Sequence, residues 1–117
     1  MATTKAFNSY EIQIAGGNDG RVALVMCYQG TSFVGRIDFH PDGAALNSDY
    51  LWHPASQTVT YVVLKMPMSR FADVAATLRQ EKPLQLYINV DAESGPATNG
   101  SGCLKTGSRE PGGEFTG

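Results

Sequence analysis

Apolar and polar positions alternate through the first third of the chain. Tyr10, Ile12 and Ile14 fall on one side of residues 9–15, with Glu11 and Gln13 on the other, which is the two-residue period of a strand. Gly16-Gly-Asn-Asp-Gly20 follows, built from residues that tolerate a tight reversal. Residues 21–28 are apolar on both sides, as expected of a strand covered on both faces. After the turn Gln29-Gly-Thr-Ser32, residues 33–40 place Phe33, Gly35, Ile37 and Phe39 on one side and Val34, Arg36, Asp38 and His40 on the other. Three strands with short turns predict an antiparallel meander.

The pattern then changes. Pro41-Asp42-Gly43 ends the third strand, because proline removes a ladder donor and glycine permits the reversal. A long connection to about residue 57 carries Tyr50, Leu51 and Trp52, and an apolar cluster on so long a loop is expected to fold over the body as a cover. Residues 58–67 return to strand pattern. Phe71, Val74, Ala75 and Leu78 then recur at helical spacing, with Ser69 as the expected N-cap and Pro83 forbidding continuation. Leu84, Leu86, Ile88 and Val90 alternate again as a fifth strand. Residues 91–117 hold seven of the thirteen glycines, so only residues 102–106 read as a sixth strand.

These elements predict an α+β fold. Its sheet has five or six mainly antiparallel strands, arranged as a meander, a long loop and a β-α-β unit, with one amphipathic helix on one face. Residues 1–8 read as an N-terminal arm, 9–90 as the α+β domain and 91–117 as a glycine-rich C-terminal segment. A sheet of that size is roughly 20–25 Å wide, whereas a helix with its side chains spans only ~10–12 Å. The uncovered apolar strip calls for a further cover, from the Tyr50–Leu51–Trp52 segment, strong curling of the sheet or a second copy of the chain; of these, the segment and a twofold copy together are expected. A homodimer is therefore expected.

Composition narrows the functional classes. A chain of 117 residues with 42% hydrophobic and 17% charged residues is one ordinary globular domain. Its net charge of −2 and lack of basic runs weigh against nucleic acid as a partner, which requires a cationic stripe. No apolar run approaches the ~18 residues of a membrane span, and no leader pattern opens the chain. A cytoplasmic protein is expected, with no membrane partner. Cys27 and Cys103 would permit a disulfide on counting alone, but the preferred reading is two reduced, partly buried thiols.

Candidate chemistry is sparse. Arg36, Asp38 and His40 share one side of a strand, where a carboxylate could hold an imidazole and a guanidinium could hold an anion; the plainer reading is an ordinary Arg–Asp pair on a wet face. His40 and His53 are the two histidines and lack metal-ligand spacing, so no metal or other cofactor is expected. Ser69 and Arg70 at a helix start lack a glycine-rich approach loop, and Gly16-Gly-Asn-Asp-Gly20 is a hairpin turn, so neither reads as a phosphate site. Tyr50, Leu51 and Trp52 are the binding candidates, since loop aromatics anchor interfaces, although the plainer and preferred reading is that they cap the sheet.

Gly35-Arg-Ile-Asp-Phe-His-Pro-Asp-Gly43, Leu78-Arg-Gln-Glu-Lys-Pro83 and Thr106-Gly-Ser-Arg-Glu-Pro-Gly-Gly-Glu114 together resemble a family of small bacterial proteins with no assigned activity. The likeness runs in scattered blocks of turn and helix-end residues, and it implies a bacterial cytoplasmic origin. Two functional readings follow. One is a non-catalytic interaction or assembly module, homodimeric and able to engage a protein partner. The other is a small-ligand binder or modest enzyme, with a pocket under Tyr50, Leu51 and Trp52 and with Arg36, Asp38 and His40 as its polar groups.

Overall fold

Eight strands join in one sheet in the computed structural model, which describes residues 2–14, 21–53, 60–90 and 97–107. They are β1 (Ala2–Phe7), β2 (Ser9–Ile14), β3 (Ala23–Gln29), β4 (Ser32–His40), β5 (Asp49–Trp52), β6 (Tyr61–Pro67), β7 (Leu84–Val90) and β8 (Ala97–Lys105). Their spatial order is β1-β7-β8-β5-β6-β4-β3-β2, and every pairing is antiparallel except β4 with β6. The α+β class and antiparallel character stand; the count of five or six strands is corrected to eight. Residues 2–7 form an edge strand on β7, and the sixth-strand segment is longer than expected. The Gly16-Gly-Asn-Asp-Gly20 turn and residues 108–117 lie outside the described residues.

The meander β2–β3–β4 pairs as its alternation requires, with one irregularity. Cys27 faces Gly35, yet Tyr28 faces Phe33, so Val34 is an extra residue in β4. Such a bulge reverses the side on which preceding residues stand. Phe33 accordingly leaves the side of Gly35, Ile37 and Phe39 and packs on Tyr61, with ring centroids 5.0 Å apart.

Only Asn8 separates β1 from β2, although these are the outermost strands of the sheet. The sheet must therefore bend until its two edges approach, giving a curled half-barrel. Asn8 fastens this corner: its backbone N–H donates to the Tyr28 carbonyl at 2.9 Å, and its Oδ1 accepts from the Gly30 N–H at 3.0 Å. Gly30 has a φ of +63°, a left-handed value natural to glycine. Across the trough the walls meet, and a Cβ on Gly35 of β4 would strike the Leu86 side chain of β7.

The trough holds the core, with Val25, Ile37, Phe39, Val62, Leu64, Leu86, Ile88 and Val90 all buried. Helix α1 (Phe71–Gln80) closes it with Val74, Ala75 and Leu78, while Phe71 meets Phe39 edge-on at 5.1 Å. The expected stripe is thus the buried one. The expected cap is not, because a 3₁₀ turn at Met68–Arg70 precedes the α-helix and puts Ser69 inside helical structure. Asp42 acts from the preceding loop instead, accepting the Ser69 N–H at 2.9 Å. An anionic oxygen at this end also suits the helix dipole.

Of the three covers open to the apolar strip, curling of the sheet is the one the fold displays. A broad sheet that folds on itself needs only a short helix to close it, and Tyr50, Leu51 and Trp52 form strand β5 inside the wall rather than a covering loop. Three consecutive apolar residues fit there because Leu51 points to the core, while Tyr50 and Trp52 stand on the outer face.

Candidate functional site

The outer face of the sheet carries a polar cluster around Asp38. Central strand β4 supplies Arg36 and Asp38, neighbouring β6 supplies Lys65 opposite Asp38, and Arg21 comes from the residues before β3. The Asp38 carboxylate is fully buried. It accepts Arg36 Nε at 2.9 and 3.2 Å and Lys65 Nζ at 3.1 Å, with Arg21 Nη1 at 3.7 Å. The Arg–Asp pair is as read from the strand spacing. Its wet setting is corrected, because the long stems of Arg21, Arg36 and Lys65 cover the carboxylate.

Arg36 extends the cluster, donating through Nη2 to the Tyr50 hydroxyl at 3.2 Å. Burial alone would lower its guanidinium pKa, but the Asp38 charge and hydrogen bonds outweigh that and raise it. Lys65 Nζ also lies 5.6 Å from the Tyr50 ring centroid, within cation–π range. Beyond Tyr50, a row of rings runs from Trp52 to Tyr61, Phe33 and Tyr28, with successive centroids 6.1, 5.0 and 5.8 Å apart.

His40 lies beside the Asp38 cluster rather than among its contacts. Both Asp38 oxygens are engaged by cations, and His40 stands one pleat further along, opposite Pro67. Trp52 pairs with Tyr61 at the other end of β6, so His53 is separated from His40 by the length of that strand, ~20 Å at ~3.3 Å per residue. The two imidazoles cannot share an ion. His53 Nε2 is instead 2.6 Å from the Thr98 hydroxyl. Among the described residues, no group of three His, Cys, Asp or Glu side chains is placed to hold a metal ion.

Asp49, which the sequence offers only as a possible metal ligand beside the histidines, holds the wall together. β5 ends there while β6 and β8 run on, and the Asp49 carboxylate accepts the Lys65 backbone N–H at 2.7 Å and that of Gly102 at 3.0 Å. One oxygen for each flanking strand replaces the backbone acceptors that a longer β5 would offer. An acidic residue opening a short apolar strand was the available signal.

Among the described residues, two cavities are lined away from Tyr50, Leu51 and Trp52. One of about 310 Å³ sits between α1 and the β6–β8 gap, lined by Met66, Val74, Cys103 and Leu104 among others. The other, about 460 Å³, lies at the Asn8 corner. Cys27 and Cys103 are free thiols. Burial pushes Cys27 up to about 12; Cys103 is also raised, by burial with help from Asp49 and against the pull of Lys105. A disulfide-exchange reagent at pH 8 is expected to label Cys103 slowly and Cys27 only on unfolding, because the thiolate is the reacting form. Rapid labelling of both in the folded protein would contradict this packing.

Compared with family models, curated proteins and solved structures, the chain matches none. No helix among the described residues is long and apolar enough to cross a membrane.

Proposed function

We propose that the protein is a non-catalytic interaction module of the bacterial cytoplasm that pairs with a second copy along strand β2. The observation that carries this reading is the exposure of Ile14 at 71% and Ile12 at 39% on an outermost strand of the sheet. An edge strand with β-branched side chains in water is a template for another strand. Each edge carries one mid-strand charge, Lys5 in β1 and Glu11 in β2, and β2 alone adds exposed isoleucines. Antiparallel joining of two β2 strands about a twofold axis would shelter four isoleucines. Full covering is worth roughly 1.5 kcal/mol for each Ile14 and about half that for each Ile12, which is already largely covered. Engagement of Asp38 by three cations supports the non-catalytic part. The ring row beside Arg36 has the aromatic and guanidinium make-up of protein-docking faces, which supports a protein partner there. The net charge of −2 keeps nucleic acid out of this reading.

Sedimentation equilibrium tests the pairing. A dimer is expected at about 50 μM, and Ile14→Lys is expected to leave a monomer whose folding stability differs by less than about 0.5 kcal/mol, as for an exposed site. A wild-type monomer at that concentration would rule the pairing out. The ligand-binding reading also retains support, from the cavity at the Asn8 corner.

A further inference from the structure

We infer that the Asn8 corner binds an amphiphilic monocarboxylate, with its apolar body on Ala6 and Pro83 and its carboxylate against Asn8 and Lys82. This deepens the ligand-binding reading and rests on it; it is independent of pairing at β2. The cavity of about 460 Å³ is within the range that holds small organic ligands. It lies where the two ends of the curled sheet are joined through a single residue. Ala6 and Pro83, both exposed, supply its accessible apolar lining, with the buried Phe7 and Leu84 beneath them.

The polar groups at this corner are chemically one-sided. Asn8 Oδ1 is taken by the Gly30 N–H, which fixes the amide orientation and leaves Nδ2 as a donor. Among the described residues, Nδ2 and the side chains of Gln29 and Lys82 have no hydrogen bond or ion pair within the protein. No carboxylate lines the cavity. An ammonium and an amide donor beside an apolar floor suit a ligand with an oxygen anion at one end and hydrocarbon behind it. One cation matches a singly charged head, and charge-assisted hydrogen bonds would hold it in place. A cationic amphiphile would meet Lys82 repulsively.

Octanoate is the probe, followed by amide chemical shifts of the full-length protein. Saturable shifts at Phe7, Asn8, Gly30 and Leu84 are expected with a dissociation constant below about 1 mM, and octylamine should bind at least about tenfold more weakly. Asn8→Asp separates binding from folding, because aspartate still accepts the Gly30 N–H while replacing the Nδ2 donor with an anion. It should weaken octanoate at least about tenfold, and Lys82→Met about fivefold, with thermal unfolding unchanged in both. Saturable shifts elsewhere in the protein would overturn this site while leaving ligand binding standing. Absence of saturable shifts, equal binding of octylamine, or indifference to both substitutions in folded protein would overturn the inference.

Discussion

Replacing Asp38 with alanine is expected to lower the unfolding free energy by about 3–5 kcal/mol, the usual consequence of removing one partner from a buried charge cluster. The carboxylate is wholly buried, while the Arg21, Arg36 and Lys65 side chains keep 29%, 23% and 13% of their surface. Without it three cations crowd together with only partial access to water. A domain of ordinary stability has about 5–15 kcal/mol in total, so the variant should lie near its unfolding midpoint at room temperature or require markedly less urea. Replacing Arg36, Asp38 and Lys65 together by apolar residues should recover much of the loss, since desolvation of the charges disappears with them. Urea unfolding with an unchanged m-value measures both effects. A loss below about 1 kcal/mol for Asp38→Ala would mean that the cluster is an ordinary surface network.

Gly35→Ala should cost about 3 kcal/mol, at the upper end of overpacking substitutions. A Cβ at this point would meet the Leu86 side chain and the Val62 backbone oxygen together. The side chain can turn; the backbone of a paired central strand cannot move without shifting β6. Gly30→Ala is the informative comparison, because its φ of +63° is strained for alanine but nothing lies within 4 Å of the added carbon. That change should cost only about 1 kcal/mol. Equal losses at the two positions would argue that β4 and β7 do not meet across the trough.

Much of the fold was legible where one face of a strand is buried and the other is not. β4, β7 and the helical stripe follow from alternation and helical spacing because each has a core face to mark, and β3 follows from its apolar residues on both sides; β2 alternates equally cleanly although its Ile12 and Ile14 are exposed. β1 escaped because Ala2-Thr-Thr-Lys-Ala-Phe7 places a single large apolar residue, Phe7, on its inner side. β5 escaped for the opposite reason, having apolar or aromatic residues at three consecutive positions and only four residues in all. In β8 two glycines replace the expected core residues, since Cβ atoms at Gly100 and Gly102 would strike the β7 backbone. Curling depends on which strands pair at long range, and no local pattern encodes that.

The candidate site divides along the same line. Arg36 and Asp38 were visible as strand neighbours on one face. Lys65 was not, because its place beside Asp38 requires the parallel pairing of β4 with β6. The bulge at Val34 was also invisible, and it moves Phe33 into the outer ring row. Tyr50 and Trp52 belong to that row region, whereas Leu51, chosen with them as a binding residue, is buried at 3% exposure in the core. Sequence proximity put the three together; strand alternation separates them.

Hydrogen exchange at β2, followed as protein concentration is raised from the monomer to the dimer range, examines most directly the claim that the curled sheet hides its own core and leaves this edge as the place where copies join. Amides of β2 turned away from β3 should slow together with the appearance of dimer, while β1 on the other edge exchanges at an unchanged rate. A dimer that forms with the β2 amides still exchanging freely, or with protection confined to β1, would contradict it.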